Sequence, residues 1–430
     1  MTGQARADGR TQRHVDVAVI GAGPAGLAAA TELARQGAGH VEVLEREQEG
    51  GGIPRHSHHT GYGMRDLHRV MSGPAYARHL LDAARRAGVT VRTGVSVTGW
   101  DGGTAETLTL EATSPQGLER VTARAVVLAT GARERPRTAR LVAGSRPAGV
   151  YTTGQLQQTV YTHGLPVGRE AVIVGAEHVS YSALTTLSHA GVKVRAMITG
   201  HDRPQTYEAF RIGARLMWRT PVLTRTGVEE IVGRRRVEGI VVRHADGRRA
   251  SLGCDTVVFT GDWIPDHELA RHGGVLLDPG TLGPAVGTDL STSVPGVFAA
   301  GNLLHAVETA DVAALDGRAV ASGVLGHLAA RGDTPPGRRL VPLRVSEPLA
   351  WVAPNLVSAV AAAPPRGHFV LWSAAVIPSP AVTVVQDGRV LHRQKWARTL
   401  LPGRPRYLAA DWMSGVDDSG GPVRVRAESV

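Results

Sequence analysis

The feature of this sequence that most constrains its fold is a glycine turn near the amino terminus. The apolar run at residues 15–20 leads into the turn GAGPAG at 21–26, and helical spacing follows at 27–35. A second apolar run, at 41–44, is followed by Glu45. This order predicts a strand, a tight turn, a helix and a second parallel strand, which together form the unit that binds dinucleotides in α/β folds.

The three glycines of this turn have separate physical roles. Gly21 permits the tight turn, Gly23 lets the backbone approach a pyrophosphate, and Gly26 lets the helix pack against the strand. The amino terminus of the helix adds free N–H groups and a partial positive charge, and both favour phosphate. Glu45 follows Gly26 by 19 residues, close to the spacing of about 20 at which an acid accepts hydrogen bonds from a ribose. The turn therefore predicts a dinucleotide site, and it fits NAD and FAD equally.

The same pattern begins again later in the chain, with substitutions. Residues 171–174 predict a strand, and a helix follows from about Ser180. In the turn between them Gly175 is kept, but Glu177 stands at the middle glycine and Ser180 at the third. A side chain at the middle position blocks the pyrophosphate. A carboxylate there also repels it, by roughly 1 to 4 kcal/mol at about 4 Å depending on the local dielectric.

We therefore expect a second dinucleotide-type domain that has lost ordinary NAD(P) binding. The strand predicted at 192–198 supports this expectation, since no acid follows it in the sequence MITG at 197–200. Two alternatives stay open. The domain could bind a different nucleotide, or the same one in an altered pose in which Arg195 or Arg203 meets phosphate. It could also be kept only as a scaffold.

Composition and charge narrow the class of protein. The chain has 430 residues, 42% of them hydrophobic, and this length predicts two or three globular domains. No stretch reaches about 18 apolar residues, so we expect no membrane span. The net charge is +10, but the basic residues are scattered and only 4% of residues are aromatic. This pattern argues against nucleic-acid binding. Dinucleotides or an acidic partner protein fit the charge better.

Cysteine usage excludes several chemistries. Cys254 is the only cysteine, so the chain cannot form an intrachain disulfide, a CxxC pair or a cysteine-based zinc site. This is compatible with the cytosol, and we expect a cytoplasmic protein. Cys254 precedes a predicted strand, and we expect it to be a small buried residue rather than a nucleophile. Residues 1–14 are polar, and we expect them to form a disordered leader.

Three motifs in a fixed order carry a family resemblance. GAGPAGLAAA at 21–30, ATG at 129–131 and TSVPGVFAAGN at 292–302 resemble the two-dinucleotide-domain flavoproteins that include the pyridine-nucleotide-disulfide oxidoreductases. More narrowly, GGIPRH at 51–56 and NLLHAVETADVAALDGR at 302–318 are similar to the α subunits of opine and amino-acid oxidase or dehydrogenase complexes. The flavin subunits of hydrogen cyanide synthase and dye-linked proline dehydrogenase are relatives of that group.

The resemblance implies an α/β fold with two Rossmann-like dinucleotide-binding domains, the second inserted in the first. The FAD-binding domain would cover residues 15–134 and 261–331, and the degenerate NAD(P)-binding-type domain residues 150–260. A Pro- and Arg-rich linker at 332–346 would lead to the last residues, 347–430. Short strand-like runs in that last part predict a small β-rich C-terminal domain.

The predicted FAD-binding residues lie in the first turn, after the second strand and in the later motifs. They are Gly21, Gly23, Pro24, Ala25, Gly26, Glu45, Arg46, Gly52, Val97, Thr130, Gly131, Gly301, Asn302 and Thr309. Family members usually carry Asp where this chain has Asn302, which still hydrogen-bonds a ribityl hydroxyl but lacks the negative charge. Thr309 or Asp311 could instead cap the following helix. The CxxC of the disulfide reductases is absent, so we expect no disulfide reduction.

Histidines near the predicted flavin site are the candidate catalytic residues. His56 and His58 belong to the cluster RHSHH, in the segment that runs under the flavin in the family, and His305 follows the last motif. A histidine there could move protons or fix the flavin. The alternative is a surface or packing role. The spacing HxHH without nearby acids or cysteines predicts no metal site.

The resemblance implies an FAD-dependent oxidoreductase. We expect a subunit of a dehydrogenase or oxidase complex that oxidises an amine, amino acid, opine or related hydroxy acid. Its electrons would pass to a second flavoprotein or iron–sulfur subunit, so a hetero-oligomer is expected. The alternatives are an NAD(P)H-dependent flavin reductase component and a non-catalytic FAD-binding structural subunit.

Overall fold

The computed structural model describes residues 6–7, 9–104, 106–206, 212, 217–330 and 339–428. The chain divides into two compact units. Unit 1 comprises Met1–Arg55, Gly61–Ala132 and Pro265–Val430, and unit 2 comprises His56–Thr60 and Arg133–Ile264. Both units contain a parallel sheet with helices. The expected α/β fold, with a second dinucleotide-type domain inserted in the first, is confirmed.

Each of the two predicted glycine turns is followed by a helix. Those whose full extent lies within the described residues are α1 (Pro24–Arg35), α2 (Gly73–Arg86), α3 (Thr153–Gln157), α4 (His178–His189), α5 (Glu268–His272) and α6 (Ala310–Ala329). Shorter 3-10 turns and one π turn are Ile53–His56, Gln158–Thr162, Gly301–Leu303, Pro365–Gly367 and Asp411–Gly415. None of the helices in the described part of the chain has the length and apolarity to cross a membrane.

A sheet of eight strands forms the centre of unit 1. Its spatial order is Thr90–Thr93, Val41–Glu45, Arg10–Ile20, Gly117–Leu128, Leu108–Ser114 and Ser96–Gly103, with Arg6–Ala7 paired to Arg10–Ile20 and Val297–Ala299 paired to Gly117–Leu128. Val17, Ala18 and Val19 are fully buried, as expected where both faces of a parallel sheet are covered. Their strand and Val41–Glu45 run in parallel, so their carboxyl ends share one edge of the sheet. That edge is where ligands bind in such folds.

The expectation of a disordered leader over residues 1–14 is wrong for its last part. The first core strand begins at Arg10 and pairs in parallel with residues from Glu119 onward. Ion pairs replace apolar contacts there. Arg13 Nε lies 3.1 Å from Glu119 Oε2, and Arg92 Nη2 lies 2.7 Å from Glu119 Oε1. Because these side chains are charged, hydrophobic periodicity does not reveal this part of the strand.

The C-terminal part of unit 1 contains two sheets whose strands pair mostly in the antiparallel direction, in agreement with the predicted β-rich C-terminal domain. Their strands are Leu356–Val357, Val341–Val345, Val423–Glu428, Ala381–Gln386 and Arg389–Lys395 in one sheet, and Leu349–Ala353, His368–Ser373 and Arg406–Ala409 in the other. We call residues 341–428 the C-terminal domain. The predicted boundary at residue 347 is wrong, because Val341–Val345 pairs with Val423–Glu428 and contributes Val341 and Leu343 to the core. Of the predicted linker at 332–346, residues 332–338 lie outside the described residues.

Unit 2 has a parallel sheet and a smaller meander. The parallel sheet has the order Val150–Thr152, Thr256–Phe259, Glu170–Val174, Lys193–Ile198 and Val222–Leu223. The second sheet contains Ala143–Gly144, Thr226–Gly233, Val237–His244 and Arg249–Gly253. Two short two-stranded sheets, whose strands are not confined to unit 2, pair Ala132–Glu134 with Trp263–Pro265 and Thr60–Tyr62 with Met71–Ser72. The second glycine turn follows Glu170–Val174, at the carboxyl edge of the parallel sheet.

Candidate functional site

The first glycine turn joins the strand Arg10–Ile20 to α1. Gly21 has φ +104°, in the left-handed region, and a Cβ on it would lie 2.6 Å from the carbonyl oxygen of Ala129. A Cβ on Gly26 would collide with the carbonyl oxygen of Gly21. Both positions therefore require glycine for packing within the protein, as the sequence predicts.

Gly23 differs from its two neighbours. A Cβ on Gly23 would meet no protein atom within 4 Å. Gly23 is also the N-cap of α1, where no side chain caps the helix and no acid lies in the first turn. The first-turn N–H groups and the positive end of the helix dipole are therefore available to an anion. This is the geometry that a pyrophosphate requires.

Gly52 and Gly301 lie close to the same turn, at positions where a side chain would not fit. A Cβ on Gly52 would lie 2.8 Å from the Cα of Gly23, and a Cβ on Gly301 would lie 2.5 Å from the Cβ of Ala25. Segments far apart in sequence are thus brought against the turn at positions where only glycine fits. The structure brings together the predicted residues Gly23, Ala25, Gly52 and Gly301.

Glu45 is oriented by two main-chain donors. The N–H of Ala22 donates to its Oε2 at 2.7 Å, and the N–H of Glu47 donates to its Oε1 at 2.9 Å. Glu45 is only 7% exposed, so the carboxylate has little freedom. Each carboxylate oxygen keeps a second lone pair, which can accept a ribose hydroxyl. The predicted role of Glu45 fits this geometry.

Thr130 and Gly131 are tied to a residue far along the chain. The hydroxyl of Thr130 donates to the carbonyl oxygen of Asp266 at 2.8 Å, and the N–H of Asp266 donates to the carbonyl oxygen of Gly131 at 2.9 Å. Arg46 Nη2 lies 3.6 Å from the Asp266 carboxylate, and the Arg46 side chain is 68% exposed. Asp266 thus links three of the predicted residues. Val97 is half-buried in its strand, and its cofactor role stays a prediction.

Asn302 and Thr309 begin and end one segment. The side-chain amide of Asn302 donates to the carbonyl oxygen of Glu308 at 3.0 Å and accepts from the N–H of Glu308 at 3.1 Å. Thr309 is the N-cap of α6, but its side chain does not cap the helix. Its hydroxyl accepts from Arg65 Nη1 at 2.7 Å and donates to Asp311. Both side chains therefore shape this segment, and their contact with a cofactor stays a prediction.

His305 lies in the same segment and is buried. Its ring stacks on Trp351, with the ring centroids 5.6 Å apart. Burial, together with the positive charge of Arg366, lowers the pKa of His305 to about 4. The imidazole is therefore uncharged at neutral pH and is a weak proton acceptor. A packing role accounts for this geometry, and the proposed catalytic role of His305 is untested.

The other two candidate histidines belong to unit 2. His56 is 3% exposed. His58 stacks on Tyr161, with ring centroids 4.0 Å apart and an interplanar angle of 2°. Burial and the nearby His189 lower the pKa of His58. The structure does not group these residues with His305 in one unit, and their catalytic role stays a prediction.

The second glycine turn holds a carboxylate where the first turn is open. Glu177 is the N-cap of α4. Its Oε2 accepts from the N–H of Ala176 at 2.9 Å, and its Oε1 accepts from the hydroxyl of Thr260 at 2.6 Å. The Oγ of Ser180 accepts from the N–H of Glu177 at 3.2 Å. Both substituted positions are therefore built into a closed set of hydrogen bonds.

The Glu177 carboxylate also fills the space beside two glycines. A Cβ on Gly175 would lie 2.8 Å from Oε1 of Glu177, and a Cβ on Gly261 would lie 2.5 Å from the same atom. One of the predicted phosphate-binding alternatives does not fit this turn. Arg195 pairs with Glu170 at 2.6 Å, near the amino ends of their strands, whereas the turn follows the carboxyl end.

Glu134 is a buried acid near this turn that the sequence motifs do not reveal. Its Oε2 accepts from the N–H of Gly154 and its Oε1 from the N–H of Gly261, both at 3.1 Å. Burial raises the pKa of Glu134 to about 7, and the charge of Glu177 acts in the same direction. No local motif marks Glu134, because its partners are distant in sequence. In the described part of the chain, no group of three or more His, Cys, Asp or Glu residues is arranged to hold a metal ion.

The fold and the first turn define a dinucleotide-binding protein with two dinucleotide-type domains. The model of the family described as pyridine nucleotide-disulphide oxidoreductase matches residues 15–317. The chain belongs to this family. FAD is the cofactor of the family, and the predicted cofactor is confirmed. The residues around Gly23 and Glu45 fit its pyrophosphate and ribose.

Curated relatives include components of oxidases. The chain is 31% identical to the alpha subunit of sarcosine oxidase from Rhizobium meliloti (strain 1021) over 276 residues, which cover 61% of this chain and 26% of that protein. It is 26% identical to an opine oxidase subunit of Agrobacterium tumefaciens (strain Ach5) over 340 residues, covering 73% of this chain and 66% of that protein. It is 31% identical to the glutamate synthase (NADPH) small chain of Mycobacterium tuberculosis (strain CDC 1551 / Oshkosh) over 352 residues, covering 72% and 66%. The chain is thus an oxidoreductase related to these proteins, and it spans less than two thirds of the first relative and about two thirds of the others.

Solved structures share the fold. The thioredoxin reductase of T. acidophilum superposes with a TM-score of 0.63 at 23% identity, covering 73% of this chain and 98% of that one. The L-proline dehydrogenase of P. horikoshii superposes with a TM-score of 0.55 at 17% identity, covering 74% of this chain and 56% of that one. At these identities the likeness shows the two-domain fold alone.

Proposed function

We propose that this chain is the FAD-binding subunit of a dehydrogenase or oxidase complex. The complex oxidises an amine, amino acid, opine or related hydroxy acid, and the electrons pass to a second flavoprotein or to an iron–sulfur subunit. The names of the sarcosine oxidase and opine oxidase relatives support this substrate class and a complex of several chains. A cytoplasmic location is part of the same proposal.

The observation that carries the proposal is the difference between the two glycine turns. The turn at Gly23 is open to an anion. The turn at Glu177 is filled by a carboxylate that is hydrogen-bonded to Ala176 and Thr260. A chain that binds FAD but no nicotinamide needs another way to load and unload electrons, and a partner protein supplies it.

The residues of the first site would hold the cofactor rather than react. The N–H groups at the start of α1 would bind the pyrophosphate, with Gly23 allowing its approach. Glu45 would orient a ribose. FAD, when bound, supplies the hydride and electron chemistry. The Glu177 carboxylate would exclude a second pyrophosphate by its volume and its charge.

Disulfide reduction is outside the proposed activity. Cys254 is the only cysteine, and it is 5% exposed. Burial raises the pKa of its thiol to about 11, so little thiolate forms at neutral pH. A dithiol–disulfide cycle needs two cysteines and an accessible thiolate.

The experiment is to express the chain alone and together with the products of its neighbouring genes. Dye-linked oxidation of amino acids, opines, amines and hydroxy acids is then compared between the two preparations. The proposal predicts bound FAD in both preparations and substrate turnover only with a partner present. Full turnover by the isolated chain, with no gain from any partner, would contradict it.

A second candidate is an NAD(P)H-dependent flavin reductase component. The name of the relative glutamate synthase (NADPH) small chain favours it. It requires the second turn to admit a nucleotide despite Glu177. Rapid reduction of the bound flavin by micromolar NADPH would establish this alternative in place of the first.

A further inference from the structure

The C-terminal domain packs against the segment from Asn302 to Thr309. The ring of His305 stacks on Trp351, and Trp351 stacks on Trp372 with centroids 5.5 Å apart and an interplanar angle of 6°. Val307 packs against the same apolar cluster. A segment that contains two predicted FAD ligands is therefore held on one side by the C-terminal domain.

A buried charge cluster joins the same two parts. Arg366 of the C-terminal domain places its Nη2 3.8 Å from Oε1 of Glu308 and its Nε 3.3 Å from Oδ1 of Asp316. The Glu308 and Asp316 side chains are 4% and 3% exposed. One cation thus lies between a carboxylate of the segment and a carboxylate of α6. Removing one partner of such a group leaves an uncompensated buried charge.

The backbone of Arg366 is held in an uncommon conformation. Arg366 has φ +60°, in the left-handed region, within the turn Pro365–Gly367. Its guanidinium also lies over the ring of Tyr407, 5.8 Å from the centroid. A residue with a side chain keeps such a backbone only where its surroundings determine it. The turn therefore presents the guanidinium to the two acids.

Glu308 passes this restraint to the predicted cofactor ligand Asn302. The Asn302 amide forms hydrogen bonds with both the N–H and the carbonyl oxygen of Glu308. Thr309 follows Glu308 directly. We infer that the C-terminal domain completes the FAD site, and that Arg366 is a positioning residue that fixes the segment from Asn302 to Thr309 through Glu308 and Asp316.

Because Glu308 and Asp316 can change protonation state, the effect of Arg366 should depend on pH, whereas the effect of a purely structural contact should not. Burial raises the pKa of Glu308 to about 7 and that of Asp316 to about 6, against the opposing charge of Arg366. Asp311 and Arg65 also act on Glu308. Arg366 acts on the titrating groups of His305, His368 and Tyr407. Without Arg366, both acids would ionise only at a higher pH, and ionisation would then leave buried negative charge unpaired.

The test compares Arg366→Ala with Arg366→Lys in the full chain. Arg344→Ala is the matched control, because Arg344 is an exposed arginine of the same domain. Hydrogen exchange of the amides in 302–309 is measured without added FAD, and the FAD dissociation constant is measured at pH 6 and pH 8. We expect faster exchange in that segment for Arg366→Ala and an FAD affinity about tenfold weaker at pH 8, with a smaller loss at pH 6. Arg366→Lys should recover part of the affinity, and Arg344→Ala should match the wild type.

A second variant covers the case in which Arg366→Ala does not fold. Glu308→Ala removes the side chain that faces Arg366 and keeps the backbone groups that bond Asn302, so it should also speed exchange in 302–309. Unchanged exchange and unchanged FAD affinity in the folded variants would overturn the inference. The exchange measurement needs no cofactor, so a failure to bind FAD is distinguished from a failure of this inference.

Discussion

The turns at 21–26 and 175–180 both join a strand to a helix, and in both a carboxylate accepts a hydrogen bond from the N–H of the second residue of the turn. They differ in which residue supplies that carboxylate. In unit 1 the N–H of Ala22 donates to Glu45, which ends the next strand. In unit 2 the equivalent N–H, that of Ala176, donates to Glu177, the next residue. The first arrangement keeps the acid away from the middle position of the turn. The second places the acid in it.

This difference shows how a small change can convert an anion site into a filled one. The helix amino terminus after Gly23 has no side-chain cap, whereas the one after Glu177 has a carboxylate at its N-cap position. A carboxylate at a helix amino terminus is favoured by the same dipole that favours phosphate. Unit 2 therefore supplies its own anion, and a pyrophosphate would have to displace it.

The largest expected effect comes from giving the first turn the residue of the second. In Gly23→Glu the new Cβ meets no protein atom within 4 Å, so we expect the chain to fold. The carboxylate should occupy the pyrophosphate position and repel the cofactor, weakening FAD binding by about 100-fold or more. FAD content after purification and reconstitution measures the effect.

The control for this variant is Gly227→Glu. Gly227 is an exposed glycine in a strand of unit 2, and a Cβ there also meets no atom within 4 Å. It should leave FAD content unchanged. Normal FAD binding by Gly23→Glu would show that the first turn is not the pyrophosphate site.

Removing the carboxylate from the second turn should strengthen nucleotide binding there. The gain should be smaller than the loss of FAD affinity expected for Gly23→Glu. Glu177→Gly combined with Ser180→Gly restores the glycines of the second turn and frees the N–H of Ala176. We expect the affinity for NADH or NADPH to rise by about tenfold, because the repulsion of about 1 to 4 kcal/mol is removed. Glu177→Gln is the matched variant, since it removes the charge and keeps the volume. If all three proteins bind nicotinamide nucleotides equally, the carboxylate is not what closes the turn.

The pH dependence of stability should report on Glu308, the buried acid in the segment that contains the predicted cofactor ligands Asn302 and Thr309. Burial raises the pKa of Glu308 from 4.5 to about 7. A raised carboxyl pKa gives a stabilising contribution that is full below about pH 4.5 and is lost as the pH rises through about 7. Glu308 by itself should therefore remove up to about 3 kcal/mol of the unfolding free energy of unit 1 over this window, while His305, whose pKa burial lowers to about 4, acts in the opposite direction. Hydrogen exchange of the slowest amides of unit 1 measures it.

The matched variant for this prediction is Glu308→Gln, which should remove the loss of stability that Glu308 contributes as the pH rises. Amides of unit 2 serve as the internal reference, because Glu308 belongs to unit 1. The difference between the wild-type and Glu308→Gln curves isolates the contribution of Glu308, and a curve that Glu308→Gln leaves unchanged would contradict the assignment.

The smallest effect is expected at Cys254. Its thiol is buried and its pKa is raised to about 11 by that burial. Cys254→Ala should leave FAD content and turnover unchanged and cost about 1 kcal/mol of stability. The native thiol should react slowly with a thiol reagent and completely after unfolding. Fast reaction in the native state, or loss of turnover in Cys254→Ala, would give unit 2 a thiol function.

The sequence predicts the local parts of this molecule well. The turn at Gly21–Gly26, the acid Glu45 and the substitution at Glu177 follow rules that act over about 20 residues. The strand ending at Ile20 is recognisable only over its apolar part, because Arg13 is paired with Glu119 rather than buried among apolar side chains. Local patterning detects apolar faces, and it does not detect ion pairs between distant segments.

The contacts around the C-terminal domain are not predictable for the same reason. Arg366 and Glu308 are separated by 58 residues of sequence, and no motif links them. One signal is present, since Asp316 is a charged residue at a fully buried position of the apolar helix α6. Such a residue predicts a partner but not which one. Only the tertiary structure shows that this partner is Arg366.

The most direct test of the proposed electron route is anaerobic mixing of the FAD-loaded chain with NADH or NADPH in a stopped-flow spectrometer. We predict that flavin absorbance stays unchanged or falls slowly at micromolar nucleotide, because Glu177 fills the second turn. An artificial reductant should bleach the same flavin fully. Rapid bleaching by either nucleotide at micromolar concentration would contradict the central claim that the chain binds one dinucleotide and receives its electrons elsewhere.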